Sequence, residues 1–229
     1  TENSISLSWD HWIIKINAAG IIQWQNTIGG NYDDQLYSII QTYDGGYLLA
    51  GTSNSNISGD KTENSIGTFD YWIVKTDAVG IVQWQNTIGG TQADWLYSAV
   101  QTADGGFILG GISRSDISGN KTENSMGIDD YWVVKTDSDG NILWQNTIGG
   151  IGLDKLSSFV QVSDGDFLLG GTSVSNFSGD KNENSQGYSD FWIVKITGTY
   201  NLIQGKTFVD LNSNQQQEPG DPAIRSPNQ

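Results

Sequence analysis

The sequence predicts an all-β fold made of repeated four-stranded antiparallel sheets. Three observations carry that prediction: an internal repeat of 60 residues, a period-two hydrophobic pattern within it, and Asp-Gly turns between the apolar runs. Trp12, Trp72, Trp132 and Trp192 mark the repeat, and Trp24, Trp84 and Trp144 each open a verbatim Trp-Gln-Asn-Thr-Ile-Gly-Gly. Asp34, Asp94 and Asp154 keep the register, as do Leu36, Leu96 and Leu156. These recurrences identify the positions that every structural unit needs.

Within a unit the elements follow in order. Asp70 to Thr76 is β-branched and aromatic, and ends in the turn Asp77-Ala78-Val79-Gly80. Ile81 to Ile88 is a second strand stopped by Gly89-Gly90, and Leu96 to Thr102 a third. Asp104-Gly105-Gly106 is a hairpin signal because Gly accepts the positive φ that such turns need, and it leads into a fourth strand, Phe107 to Ser113. The polar stretch from Arg114 to Asp129 reads as a long connecting loop. Two hairpins per unit predict one sheet per unit, and sheets stacked at a fixed period predict a β-propeller-like array of blades. A β-solenoid is the competing architecture, but its coils are shorter and poorer in hairpins. The predicted units are 10–69, 70–129 and 130–189, with a half unit at 190–204 and a different segment at 205–229. Three and a half blades are few for a closed ring. The simpler expectation is a fragment of a larger propeller with its missing blades upstream; closure by a second copy is the alternative.

Composition narrows the function classes. Lys plus Arg total 11 against 26 Asp plus Glu, a formal net charge of −15, which repels nucleic acid and anionic lipid. With no cysteine, disulfides and thiolate metal sites are excluded. No apolar run is long enough to span a membrane, so no membrane insertion is expected. His11 is the sole histidine and stands where the other units carry Tyr71, Tyr131 and Phe191, which marks an aromatic packing position and not a general base. Ser-His-Asp chemistry then has no footing, and carboxylates that recur in every unit lack the unlike environments that acid–base work needs. The chain is expected to be no enzyme.

Several motifs resemble a known group. Asp-Tyr-Trp-Ile-Val-Lys-Thr-Asp at 70–77, Trp-Gln-Asn-Thr-Ile-Gly-Gly at 84–90, Gln-Thr-Ala-Asp-Gly-Gly-Phe at 101–107 and Ser-Gly-Asp-Lys at 58–61 resemble the repeats of Bacteroidetes surface proteins. That resemblance implies a propeller, export by type IX secretion, an extracellular or cell-surface location and a scaffold or adhesion role. The segment from Gly205 to Pro222 is similar to the opening of the B-repeat domains of bacterial adhesins. There Asp210, Asn212 and Asn214 alternate like the oxygen ligands of a calcium loop, with Glu218 and Asp221 as further carboxylates. Gln215 replaces the usual Gly after the third ligand, and an unpaired linker is the competing reading.

The remaining candidates are weighed by whether the repeat shares them. The acidic loops (Asp60 with Glu63, Asn120 with Glu123, Asp180 with Glu183) are rich enough in oxygen for calcium, yet these residues also form ordinary turns. Lys15, Lys75, Lys135 and Lys195 interrupt apolar strands, and pairing between blades with a recurrent carboxylate is expected. Recurrent Trp72, Trp84 and Trp132 are expected in the core. Trp95, whose counterparts are Gln35 and Lys155, and the unshared Trp9 are the candidate ligand-binding aromatics. The expected partner is a glycan or protein at the cell surface. The rival readings are a glycan-binding propeller and the accessory part of a secreted hydrolase.

Overall fold

A computed structural model describes residues 8–163 and 165–197. The calcium-loop candidates Asp210, Asn212, Asn214, Glu218 and Asp221, and the whole segment 205–229, lie outside the described residues.

Thirteen strands follow one another, with no helix among the described residues. They are β1 (His11–Ile16), β2 (Ile22–Ile28), β3 (Asp34–Gln41), β4 (Tyr47–Ser53), β5 (Asp70–Thr76), β6 (Val82–Ile88) and β7 (Asp94–Gln101). The series continues with β8 (Phe107–Ser113), β9 (Asp130–Thr136), β10 (Ile142–Ile148), β11 (Asp154–Gln161), β12 (Phe167–Ser173) and β13 (Asp190–Ile196). All are antiparallel to their sheet neighbours and form four sheets: β1-β2, β3-β4-β5-β6, β7-β8-β9-β10 and β11-β12-β13.

The four-stranded sheets have a different phase from the predicted units. Residues 70–113 do not make one sheet; β5-β6 close one and β7-β8 open the next. The long loop 114–129 therefore joins two neighbours within a sheet, and the short Gly89-Gly90 link passes between sheets. The physical reason lies in how closely the Gly-Gly segment approaches its surroundings. A Cβ on Gly89 would lie 1.9 Å from Asp70 Oδ1, and one on Gly90 would lie 2.4 Å from the Cβ of Ser115 in the following sheet. Only glycine lets the chain run beside both sheets there.

The verbatim motif resolves into distinct tasks. Trp84 packs on Phe107 of the next sheet at 6.1 Å, and Asn86 donates to the Gly140 carbonyl there at 2.8 Å. The Gln85 side chain accepts from Trp72 Nε1 at 3.1 Å and donates to the Asp60 carbonyl at 2.7 Å. Thr87 takes a hydrogen bond from the buried Lys61 ammonium on its hydroxyl, and gives its N–H to Glu63. The loop carrying Asp60, Lys61 and Glu63 is thus pinned to strand β6. Its backbone also reaches the preceding sheet, where the Asp60 N–H donates to the Gly29 carbonyl at 2.8 Å.

Three hydrophobic clusters lie between successive sheets. One aromatic pair recurs in each: His11 with Trp72 at 4.9 Å, Tyr71 with Trp132 at 4.8 Å, and Tyr131 with Trp192 at 5.0 Å. Trp72 and Trp132 are fully buried, as expected of shared positions, and His11 fills an aromatic seat. Trp84 is only partly buried.

The repeated lysines need a correction. Lys75 pairs with Asp44 at 2.8 Å, Lys135 with Asp104 at 3.0 Å and Lys195 with Asp166 at 3.0 Å. Each carboxylate sits on the hairpin turn of the lysine's own sheet, so the pair joins successive sequence units without bridging sheets. Lys15 instead lies over the Tyr47 ring of the next sheet.

Candidate functional site

Repeat positions that all copies share are consumed by packing, so a site is best sought where the copies differ. Position 95 is Trp, against Gln35 and Lys155; position 114 is Arg, against Asn54 and Val174; position 69 is Phe, against Trp9 and Asp129. The fold gathers these residues. Strands β3, β7 and β11, the first strand of each larger sheet, lie against one another. The residue before β5 also forms a parallel bridge to the residue before β7, Phe69 to Ala93, and the next repeat matches it with Asp129 to Leu153.

Trp95 stands on β7 with its ring stacked on Phe69 at 6.0 Å and the Arg114 guanidinium 4.9 Å from its centroid. Arg114 forms an ion pair with the fully buried Asp129, and Lys155 of the following sheet approaches the same carboxylate at 3.9 Å. Tyr97 joins the group, its ring set edge-on to Tyr37 at 5.1 Å. Burial pushes the Tyr97 hydroxyl up to about 12, the Tyr37 ring and the Asp129 charge adding to it and Arg114 opposing. Tyr37 and Tyr97 fall at register shifts in β3 and β7, between Leu36 and Ser38 and between Leu96 and Ser98. Such bulges re-aim side chains near functional surfaces. They depend on glycine opposite: a Cβ on Gly111 would lie 1.8 Å from the Trp95 carbonyl oxygen.

Beside this cluster lies an open groove of about 570 Å³ lined by Gln92, Arg114, Asp116 and the stretch 125–128. It offers a cation, an amide and a carboxylate beside Met126 and Ile128. That set can hydrogen-bond a polar ligand and contact its apolar side.

Of the two aromatic candidates, Trp95 belongs to this cluster, though Phe69 and Arg114 already engage its ring. Trp9 occupies the Phe69-equivalent position one repeat earlier, is 71% exposed, and has its backbone N–H on Asp33. The two tryptophans are not brought together. Sequence reasoning missed Phe69, Arg114, Asp129 and Tyr97. Subtracting one repeat from another, which isolates Trp95, isolates the first three by the same operation.

The acidic loops are occupied by structural bonds. Glu63 holds the Thr87 N–H, Glu123 holds the Thr147 N–H at 2.6 Å, and Asp180 accepts from the Gly149 N–H at 3.1 Å. Burial pushes the Asp180 carboxyl up to about 6, against the Gly149 hydrogen bond. Among the described residues, no three His, Asp or Glu side chains are grouped as a metal site would need.

No family model matches the chain. A stretch of 134 residues, 56% of the chain, is 25% identical to "Regulatory protein FlaEY" of Caulobacter vibrioides. The chain spans 14% of that protein's length. A solved structure, a protein of unknown function from Bacteroides caccae, is similar at 12% identity with a TM-score of 0.32, covering 86% of this chain and 70% of its own.

Proposed function

We propose that this chain is a non-catalytic scaffold that displays a variable binding surface, an extracellular adhesion module built on propeller-like blades. The observation that carries this reading is the division of labour among repeat positions. Shared residues such as Trp72, Lys61, Gln85 and the Gly-Gly pairs are taken up by packing, and the residues that differ between copies converge on the Trp95–Arg114–Asp129 cluster and its groove. Successive sheets joined through their first strands support a blade-like arrangement. A catalytic role is disfavoured because the sole histidine is buried against Trp72, and burial pushes its ring down to about 3. The likeness of the repeat motifs to Bacteroidetes surface repeats supports the cell-surface location. The ligand is a glycan or a surface protein. Should it be a glycan, Arg114 offers the charged hydrogen-bond donor in the groove, and Trp9, at the equivalent place one repeat earlier, offers a separate exposed stacking face.

The test is binding of the purified chain to a glycan array and to a panel of surface proteins, repeated with Arg114→Ala and Trp95→Ala. Arg114→Ala is expected to weaken a captured ligand at least tenfold, and its circular-dichroism melt separates lost binding from the cost of leaving the buried Asp129 without its closest partner. Ligand binding untouched by both substitutions would overturn the assignment of the surface. Reproducible turnover in glycosidase or peptidase panels, lost on mutating a single carboxylate, would overturn the non-catalytic reading.

A further inference from the structure

Positions shared by the repeats are taken up by packing, with one exception. The loops 54–69, 114–129 and 174–189 carry Ile57, Ile117 and Phe177 at the same place, apolar in every copy and 61%, 62% and 72% exposed. A lone exposed apolar side chain needs no explanation, but one kept at every repeat without burial has no packing reason to be apolar. Its exposure is not a matter of place along the array. Ile57 and Ile117 belong to the second and third sheets, each of which has a described sheet on either side.

The same bonds fix each tip. The N–H of Ile57, Ile117 or Phe177 donates to the side-chain oxygen of Asn64, Asn124 or Asn184 at 3.1, 3.1 and 3.0 Å. The next hydroxyl, of Ser58, Ser118 or Ser178, accepts from the N–H of Asn31, Thr91 or Ile151 at 3.0, 3.0 and 3.1 Å, which ties each tip to the link that enters its sheet. Tips held this way have little left to order on binding. The apolar surface also continues from loop to loop. A Cβ on Gly119, two residues after Ile117, would lie 2.6 Å from Ile66 Cγ2, and one on Gly179, two residues after Phe177, would lie 2.9 Å from Met126 Sδ. Ile66 and Met126 are themselves exposed.

Charge decides what fits there. In these loops Lys61, Lys121 and Lys181 are buried, whereas Asp60, Glu63, Asp116 and Glu183 are exposed. The exposed cation, Arg114, is paired with Asp129. We propose that the row of tips Ile57, Ile117 and Phe177 is a docking surface for a cationic amphipathic polypeptide, whose apolar side chains meet the tips and whose lysines or arginines meet the carboxylates of the same loops. The apolar tips supply contact area, and the carboxylates, which keep acceptor capacity beyond their structural bonds, select for positive charge. An anionic lipid surface is repelled by the same carboxylates. Because the tips repeat, a partner with several apolar segments gains through effective concentration. Met126 and Asp116 also border the groove beside Trp95, but none of the three tips lines it, so the two surfaces are tested apart.

Titration calorimetry of the full chain with three synthetic peptides tests this: one of Leu and Lys, one with Ser in place of Leu, and one with Glu in place of Lys. The Leu-Lys peptide is expected to bind at least tenfold tighter than either of the others. Combining Ile57→Ser, Ile117→Ser and Phe177→Ser is expected to remove that advantage and leave the weak Ser-Lys binding unchanged, since no charge is altered; damage to the fold would move both. If the combined variant loses the β-sheet circular-dichroism signal, Ile117→Ser and Phe177→Ser are measured singly, each with an expected loss of about threefold. Asp60→Asn with Asp116→Asn is expected to weaken the Leu-Lys peptide by a similar factor with the fold kept, because the sister loops already carry Asn120 and Asn176 at these places. Equal affinity for the Leu-Lys and Ser-Lys peptides, or a combined variant that binds like the parent, would overturn the proposal. So would binding to phosphatidylcholine vesicles, or self-association in sedimentation, that is lost in the combined variant, since the tips would then serve a lipid surface or a second copy.

Discussion

His11 sits where two other repeats place tyrosine, and the exchange has a pH consequence. Burial pushes the imidazole down to about 3, the Gln35 backbone opposing and the Lys61 charge adding to the effect. In the unfolded chain the ring titrates near its ordinary value of about 6.5. The folded state therefore holds a neutral ring while the unfolded state takes up a proton. This stability is fully present above about pH 6.5 and is lost as pH falls toward 3, on the order of 5 kcal/mol at the end of that window. Asp94 acts in the opposite sense. Burial raises it to about 6, against bonds from the Gly90 N–H and the Ser113 and Ser115 hydroxyls, so its contribution is greatest below about pH 4 and declines as pH rises through 6. Replacing His11 by Phe isolates the first effect. The variant is expected to match the parent in urea midpoint near neutral pH and to exceed it increasingly below pH 6; parallel midpoints across that range would contradict the buried neutral ring. The seat itself was legible in the sequence, because a residue that stands where its sister copies carry aromatics inherits their environment. The neighbours of Trp95 were not, since Arg114 and Asp129 lie 19 and 34 positions along the chain from it and meet it only once β7, β8 and β9 pair in one sheet.

Strand positions and turns followed from periodicity because alternation and Asp-Gly pairs are local signals. The grouping of strands into sheets did not, because a hairpin can pair with the strand before it or the strand after it with the same alternation. What decides is how closely the backbone is approached at Gly89 and Gly90, a property of tertiary packing that appears in the sequence only as an unexplained invariant pair. Packing between sheets is tuned at the same level. Ala50 and Ala99 share the cluster between the second and third sheets, and the corresponding pair in the next junction is Gly110 against Phe159. The glycine makes room for the edge of the larger phenylalanine ring, which a Cβ there would meet at 2.7 Å. Gly110→Ala is expected to cost about 1–3 kcal/mol, since its new methyl group meets Phe159 and Leu156 at under 3 Å. Gly170→Ala, the same change in the next sheet, is expected to be neutral within about 0.5 kcal/mol. Thermal melts of the two variants check this, and an equal loss at both sites would mean that the face of the fourth sheet is covered as fully as that of the third.

Across the molecule, stability should be unequal along the array. Stacked repeats behave as a nearly one-dimensional series in which each unit is held by its own strands and by its neighbours. The second and third sheets each have four strands and are packed on both faces, and every residue of β5, β8 and β9 is buried. The first sheet has two described strands and the fourth has three, each with one apolar face in water. Local opening should therefore start at the ends, where fewer contacts must break, and reach the middle only on global unfolding. Hydrogen exchange followed by mass spectrometry is expected to show amides of 11–16, 22–28 and 190–196 exchanging first and those of 70–76, 107–113 and 130–136 last. Uniform exchange along the chain would show instead that the sheets open as one unit, with coupling across the junctions stronger than the sheets' own stability.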